Sequence, residues 1–213
     1  SSTQGNAKKS FAIETWDEYN NDLKVPVLDL PSESDWVLYA PNYFDKSLIH
    51  NSFMHELSRQ IDRYSPRVRM VEVFTSFGTG AVNYTSPLVG NYNGIYVLEE
   101  KIKADDQRVD IAKLDPVDTN APAITGGYMM KVDRADSDER SLGAGGLGMV
   151  YVEPAMKDYS AYPGRAMQES YISGYFNSFY TALSGANWTN PATGYAAWID
   201  VDSWIDHHIL NAV

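Results

Sequence analysis

The sequence predicts an α+β fold, with a mostly antiparallel sheet first and helices gathered after it. Three observations predict this. Short runs of aromatic, branched or apolar residues recur at 10–14, 35–40, 67–74, 95–98 and 128–132, as half-buried strands require. Two longer stretches, 46–62 and 166–183, carry apolar residues at helical spacing instead. Proline and glycine punctuate the chain between them, at Pro26, Pro31, Pro41, Pro66, Gly94, Gly126, Gly127 and Gly185. At 213 residues and 44% hydrophobic content, the chain can bury the core of one domain or one bilobal unit.

Taken in order, residues 1–6 are polar and turn-like. Residues 10–14 form a strand with Phe11 and Ile13 on one face and Ala12 on the other. An acidic, Asn-rich turn covers 16–22, and 25–30 is a short apolar segment between prolines. Pro41 stops the strand at 35–40. The first helix is expected over 46–62, capped by Asp45, with Ile49, Phe53, Met54, Leu57 and Ile61 as its stripe. Pro66 keeps it from continuing, and 67–74 alternates as a strand. Residues 76–90 read as a loop or hairpin insertion. Gly94 and Gly126-Gly127 read as turns that open the strands at 95 and 128. Residues 105–120 are a charged connector, and 149–152 a short strand. The helix at 166–183 carries Met167, Tyr171, Tyr175, Phe176, Phe179 and Leu183, and ends at Gly185. After a loop at 187–194, a last helix starts near Asp200 or Asp202, with Trp204, Ile205, Ile209 and Ala212. The expected division is 1–135 sheet-rich, 136–148 an acidic and Gly-rich linker, and 149–213 helical.

Charge and composition exclude several classes. Twenty-eight acidic against 17 basic residues give −11, which argues against nucleic-acid binding through clustered Lys and Arg. It permits basic protein partners. With no cysteine, disulfides, thiolate metal sites and a Cys nucleophile are out. No apolar run reaches the ~20 residues of a membrane span. No signal peptide is evident, and an opening at Ser1-Ser2 without Met is expected to be processed or cut.

Strands with a lysine, one helix, two strands, a connector and then helices make the plan of a protein-kinase small lobe and the start of a helical lobe. Three segments carry a more specific likeness: YNGIYVLEEKIK from Tyr92, RVDIAKL from Arg108 and ITGGYMMKVD from Ile124. With KKSFAIET from Lys8, DWVLYAPNYFDKSLIHN from Asp35 and GYAAWIDVDSWIDHHILN from Gly194, the ordered set resembles the CotH family of atypical, spore-coat kinases. The resemblance covers nearly the whole chain. It implies a kinase-like fold, ATP and Mg as cofactors, and phosphate transfer to a protein substrate, possibly basic and Ser-rich. It also favours a secreted, cell-surface or spore-coat setting.

The resemblance implies site residues as well. One of Lys8 and Lys9 would pair the nucleotide phosphates, since neighbours on a strand face opposite ways. Lys9 is favoured because it shares parity with Phe11 and Ile13. Glu56, inside the first helix, would hold that lysine. Glu100 would sit at the hinge beside the nucleotide, and Lys131 on a strand facing it. Tyr128 or Tyr96 would stack on adenine, because aromatic faces bind bases without specific hydrogen bonds. Each residue also has a plain structural reading: solvated strand-end lysines, a solvated helix face, a surface ion pair and core tyrosines. His50-Asn51 stands where the family commonly has Arg-Asn, replacing a permanent cation with a near-neutral imidazole. After the last helix the family continues into an Asn-x-Asp segment with the catalytic aspartate and a Trp-Asp-x-Asp-type segment with a metal aspartate. Neither follows that helix here, so no catalytic residue is expected within the chain and a fragment inactive by itself is expected.

Other patterns carry less. Residues 143–148 satisfy GxGxxG, but they follow a polar run and lead to a short strand, so a flexible linker is expected. Asp200, Asp202 and Asp206 lack the Gly and distal Glu of a calcium loop and fit helix capping better. His207 and His208 diverge by about 100° on a helix, and His50 and His55 share a face poorly. Gly-x-Ser-x-Gly is absent, and no Ser-His-Asp set is recognisable. The glycosylation triplets at Asn83 and Asn187 are short enough to arise by chance. Two other classes stay open: a non-catalytic surface or coat protein that kept the fold, and a carbohydrate-binding or glycosidase domain, for which the scattered carboxylates specify no pair.

Overall fold

In the computed structural model, which describes residues 6, 8–42, 45–76, 78–82 and 91–212, four strands near the N-terminus form one antiparallel sheet. They are β1 (Phe11–Glu14), β2 (Asp35–Tyr39), β3 (Val68–Phe74) and β4 (Tyr92–Glu100), in the order β1-β2-β4-β3. This sheet belongs to the unit Ser1–Ile102; the second unit is Lys103–Val213. β4 is central, and Tyr96, Val97 and Leu98 are buried on both of its faces. Leu98 packs with Leu30 and Trp36, flanked by Ile13, Val27, Leu38 and Val71. The Trp36 indole N–H is satisfied by the Glu33 carbonyl at 3.2 Å.

Two sequence expectations need correction in this unit. Gly94 is not a turn ahead of a strand: it lies inside β4, at φ +100. Val73 faces Gly94 while Phe74 faces Tyr92, so Asn93 is an extra residue and the pair bulges. The first helix, α1, is shorter than its apolar pattern and spans His50–Gln60. Leu48 takes φ 62, which right-handed helix does not permit, so 46–49 is a turn. Asp45 organises that turn, accepting from the Leu48 amide at 2.9 Å and the His50 amide at 3.1 Å. The expected stripe is only half covered: Met54 and Leu57 are partly buried, whereas Ile49, Phe53 and Ile61 are exposed. The 25–30 segment forms no strand, only an isolated bridge between Val25 and Glu33. Most of the 76–90 insertion, with the Asn83 triplet, lies outside the described residues.

The second unit holds a three-stranded antiparallel sheet, β5-β7-β6, from β5 (Met129–Lys131), β6 (Ser141–Ala144) and β7 (Leu147–Glu153). Residues 141–148, expected as part of a flexible linker, form a hairpin instead. Gly145 and Gly146 have φ +59 and +76, the left-handed pair that a two-residue hairpin turn demands. The Gly145 amide donates to the Asn177 side-chain oxygen at 3.0 Å, which seats the turn on α2 (Pro163–Ser184). Leu142, Ala144, Met149, Tyr151, Met156 and Ile172 form the core, with Tyr171, Tyr175 and Phe176 against it. Met167 and Leu183, expected on the same stripe, are exposed, and Arg165 and Gln168 take buried positions.

Those two polar residues tie down the connector. Arg165 meets Asp158 through two bonds of 3.0 and 3.1 Å and donates to the Leu114 carbonyl at 3.0 Å. Gln168 donates to the Asp115 and Asp118 carbonyls at 2.7 and 3.1 Å. The last helix, α3 (Val201–Ala212), follows Asp200, whose carboxylate accepts from the Asp202 and Ser203 amides. No helix among the described residues is long and apolar enough to cross a membrane.

Gly127 marks where the connector reaches β5. Its φ is +79, and a Cβ there would stand 2.0 Å from the Ala112 carbonyl oxygen. Gly127→Ala is therefore expected to lower stability by about 2 kcal/mol or more, through strain and displaced backbone. Gly143→Ala, which meets nothing within 4 Å, is expected to change it by less than about 0.5 kcal/mol. Denaturant midpoints of the two variants check both.

Candidate functional site

The end of β4 places two adjacent carboxylates out of water on opposite faces of the sheet. Glu100 is 2% exposed. It accepts from the Arg67 backbone amide at 2.8 Å and from the Arg67 guanidinium at 2.9–3.1 Å. Such a bidentate, charge-assisted pair is the arrangement that makes a buried carboxylate tolerable. Glu99 has no comparable partner. Its Oε2 is buried with no hydrogen bond, 3.8 Å from His55 Nε2. Burial pushes its carboxyl up to about 7.

Of the two candidate lysines, Lys8 is half-buried and Lys9 exposed. The Lys8 ammonium donates to the Ile95 carbonyl and, at 3.3 Å, to the Pro41 carbonyl. It also stands 4.5 Å from the centre of the Tyr96 ring. Burial lowers its pKa. Tyr96 is itself fully buried, stacked on Phe11 at 6.2 Å, with its hydroxyl accepting from Asn93 at 2.7 Å. Glu56 bonds to Arg59 and, at 3.0 Å, to Gln60 on the same helix. His50 is exposed, its Nδ1 3.6 Å from the Asp45 carboxylate.

Tyr128 and Lys131 belong to the second unit. Tyr128 stacks on Tyr171 with ring centres 6.0 Å apart and donates to the Gln168 carbonyl at 3.3 Å. Burial, with Tyr171 beside it, raises its phenol to about 12. It lines a cavity of about 450 Å³ with Thr125, Gly127, Met130, Tyr171, Ile172, Tyr175 and Phe176. Lys131 is ion-paired to Glu139 at 2.6 Å. Among the described residues, no group of three His, Asp or Glu side chains converges to hold a metal ion. The Asp200 carboxylate is instead used in capping, and His207 bonds Asn211 one turn on.

The group missed in the sequence is His55, Ser65 and Glu99. Its members lie 10 and 34 positions apart, on a helix, a loop and a strand, so no local spacing announces them. The signal present was a histidine in the middle of a half-covered helix, followed by Ser-Pro at its end.

Glu99 has a folded pKa above its unfolded value, so folding favours its protonated form. The penalty is absent below about pH 4.5, grows between about 4.5 and 7, and is complete above. Glu99→Gln is therefore expected to raise stability near pH 8 by roughly 2–3 kcal/mol and to leave it little changed near pH 4. Denaturant unfolding at the two pH values checks the sign.

No curated protein and no solved structure gives a significant match to this sequence. The model of the family described as CotH kinase protein matches residues 1–213. Since that match spans every residue, the chain belongs to the CotH kinase protein family.

Proposed function

We propose that this chain is the nucleotide-binding part of a CotH-type protein kinase that moves the γ-phosphate of ATP to a serine or threonine of a protein. The observation that carries the reading is the family match along all 213 residues. A kinase family implies ATP as donor and a protein as acceptor.

In this reading Lys9 offers its ammonium to the phosphates as a compact point charge. Its exposure leaves that charge available to a ligand. Glu100 fixes the end of β4, where the hinge backbone would meet the nucleotide. Its own carboxylate is occupied by Arg67, so it acts through backbone position rather than as a ligand. Within the second unit, Tyr128 lines a cavity with Tyr171, Tyr175 and Phe176, whose ring faces suit a planar base. Within the same unit, Lys131 offers a cation when it turns from Glu139. Magnesium would neutralise phosphate charge; no ligand for it is assigned here. The catalytic and metal aspartates of the family pattern are not assigned to any residue of this chain.

A second reading, a family member that kept the fold as a surface or coat scaffold, is favoured by one observation. Glu56, Glu100 and Lys131 are each already bonded to a protein partner, Arg59, Arg67 and Glu139.

The protein as its gene encodes it is expected to bind ATP in the presence of magnesium, and Lys9→Ala to weaken that binding at least severalfold. Isothermal titration of both proteins checks this. Equal affinities would remove Lys9 from the site, and no binding by either would favour the scaffold.

A further inference from the structure

On the Val97 face of the first sheet, away from Arg67, three side chains form a chain of contacts. The Ser65 hydroxyl lies 2.7 Å from His55 Nδ1, and His55 Nε2 lies 3.8 Å from the Glu99 carboxylate. The first distance is a hydrogen bond; the second is an ion-pair distance, too long for one. His55 and Glu99 are largely covered, with side chains 25% and 18% exposed. Ser65 is half-buried.

The ring's state follows from its surroundings. Burial first, and the Arg59 guanidinium second, hold the His55 pKa below its ordinary value. The imidazole is therefore neutral near pH 7 and carries one proton. A hydroxyl that donates to Nδ1 leaves that proton on Nε2, the ring nitrogen 3.8 Å from Glu99. The buried Oε2 of Glu99 has no hydrogen-bond partner, so above about pH 7, where Glu99 gives up its proton, an imidazolium formed at His55 would meet an uncompensated carboxylate. Serine, neutral imidazole and carboxylate in this order are the parts of an activated nucleophile.

One part of a hydrolase is missing. Residue 66 is proline, so the amide that commonly follows a nucleophile and stabilises a tetrahedral oxyanion does not exist here. Attack on a carbonyl would stall. Transfer of a phosphoryl group has less need of such a hole, because its charge is spread over peripheral oxygens that a cation can meet. Arg59 is the nearby cation: its guanidinium donates to the Pro66 carbonyl, one residue from Ser65, and also pairs with Glu56, which it would have to release.

We propose that Ser65 is a phosphoryl-acceptor site, with His55 taking its proton and Glu99 stabilising the imidazolium that forms. The donor is an activated phosphorus compound such as a phosphoric anhydride. Ser65 Oγ forms the new bond to phosphorus while the bond to the leaving phosphate oxygen breaks. The leaving group departs with the electron pair, and the hydroxyl proton passes to His55 Nδ1. Without an oxyanion hole to assist water, the adduct persists, so the site holds a modification rather than turning over. The inference stands apart from the kinase reading, since any donor of this class suffices.

A fluorophosphonate tests it with no kinase activity needed, fluoride being the leaving group. Peptide mapping of the treated protein is expected to place the adduct on Ser65, and Ser65→Ala to abolish it. His55→Ala is expected to slow labelling at least tenfold, with added imidazole restoring much of the rate. That rescue is a result a merely structural histidine would not give. Glu99→Gln is expected to slow labelling severalfold and flatten its rise with pH, although it strengthens the fold. The charged and titratable groups around the pair in that titration are Glu99 on β4, Arg59 on α1, Ser65, and Tyr39 on β2 beside Glu99. Adducts on other serines with Ser65 unmodified would overturn the proposal. So would wild-type labelling in His55→Ala, or a loss that imidazole leaves untouched. Should His55→Ala not fold, unchanged labelling in Glu99→Gln would itself overturn the role given to the pair.

Discussion

Burying two neighbouring carboxylates on the central strand is the constraint that shapes the first unit. A strand sends consecutive side chains to opposite faces, so Glu99 and Glu100 cannot share a partner. An ion of that size loses several kcal/mol of hydration when enclosed, and each face needs its own answer. On one face Arg67 supplies three donors, which fixes β3 against β4 at the exit of the sheet. On the other face nothing comparable exists. Glu99 instead keeps its proton up to about pH 7 and sits across from an imidazole that resists charging. The same sequence pair thus makes one rigid joint and one chemically soft spot.

The second unit meets a related demand, this time from backbone carbonyls. Its connector from 103 to 128 has almost no regular structure, and its carbonyls need donors. Arg165 and Gln168, one turn apart near the start of α2, deliver them to Leu114, Asp115 and Asp118. Close backbone approach finishes the contact: a Cβ on Gly164 would stand 1.9 Å from the Pro116 carbonyl oxygen. The polar face of α2 near its start therefore holds the connector, while its aromatic face further on covers β6 and β7.

Much of this fold is legible in the sequence because it rests on local periodicity. The strands at 11–14, 35–39 and 68–74, the long helix and the capped last helix all appear within a residue or three of their expected bounds. What periodicity misses is geometry that apolar pattern does not encode. The apolar pattern predicts a helix from residue 46, and the left-handed backbone of Leu48 delays the start of α1 to His50. Gly145-Gly146 looks like a flexible linker until two positive φ values and the Asn177 bond make it a turn. Within the site, the family likeness picks out charged positions, but not their partners. Lys8 and Lys9 are adjacent letters, yet one is held by two carbonyls and a ring and the other is exposed. His55, Ser65 and Glu99 come together only through the α1–β3 loop and the pairing of β3 with β4.

Magnitudes sort the charged candidates by what a phosphate can recruit. Depriving Glu100 of Arg67 costs roughly 3–5 kcal/mol, because the carboxylate, 1% exposed, is left charged and dry. No ligand contact of ordinary strength compensates for that, so Glu100 belongs to the frame and not to the chemistry. Lys131–Glu139 lies nearer the surface, where such a pair is worth about 0–1 kcal/mol. Its lysine can exchange a carboxylate for a phosphate at little loss. Lys8 lies between these limits, since its two carbonyl partners and the Tyr96 ring would all be left behind. Lys9 gives up least, because its ammonium starts in water. Taken each within its own unit, Lys9 in the first and Lys131 in the second are therefore the candidate cations whose present surroundings hold them most weakly.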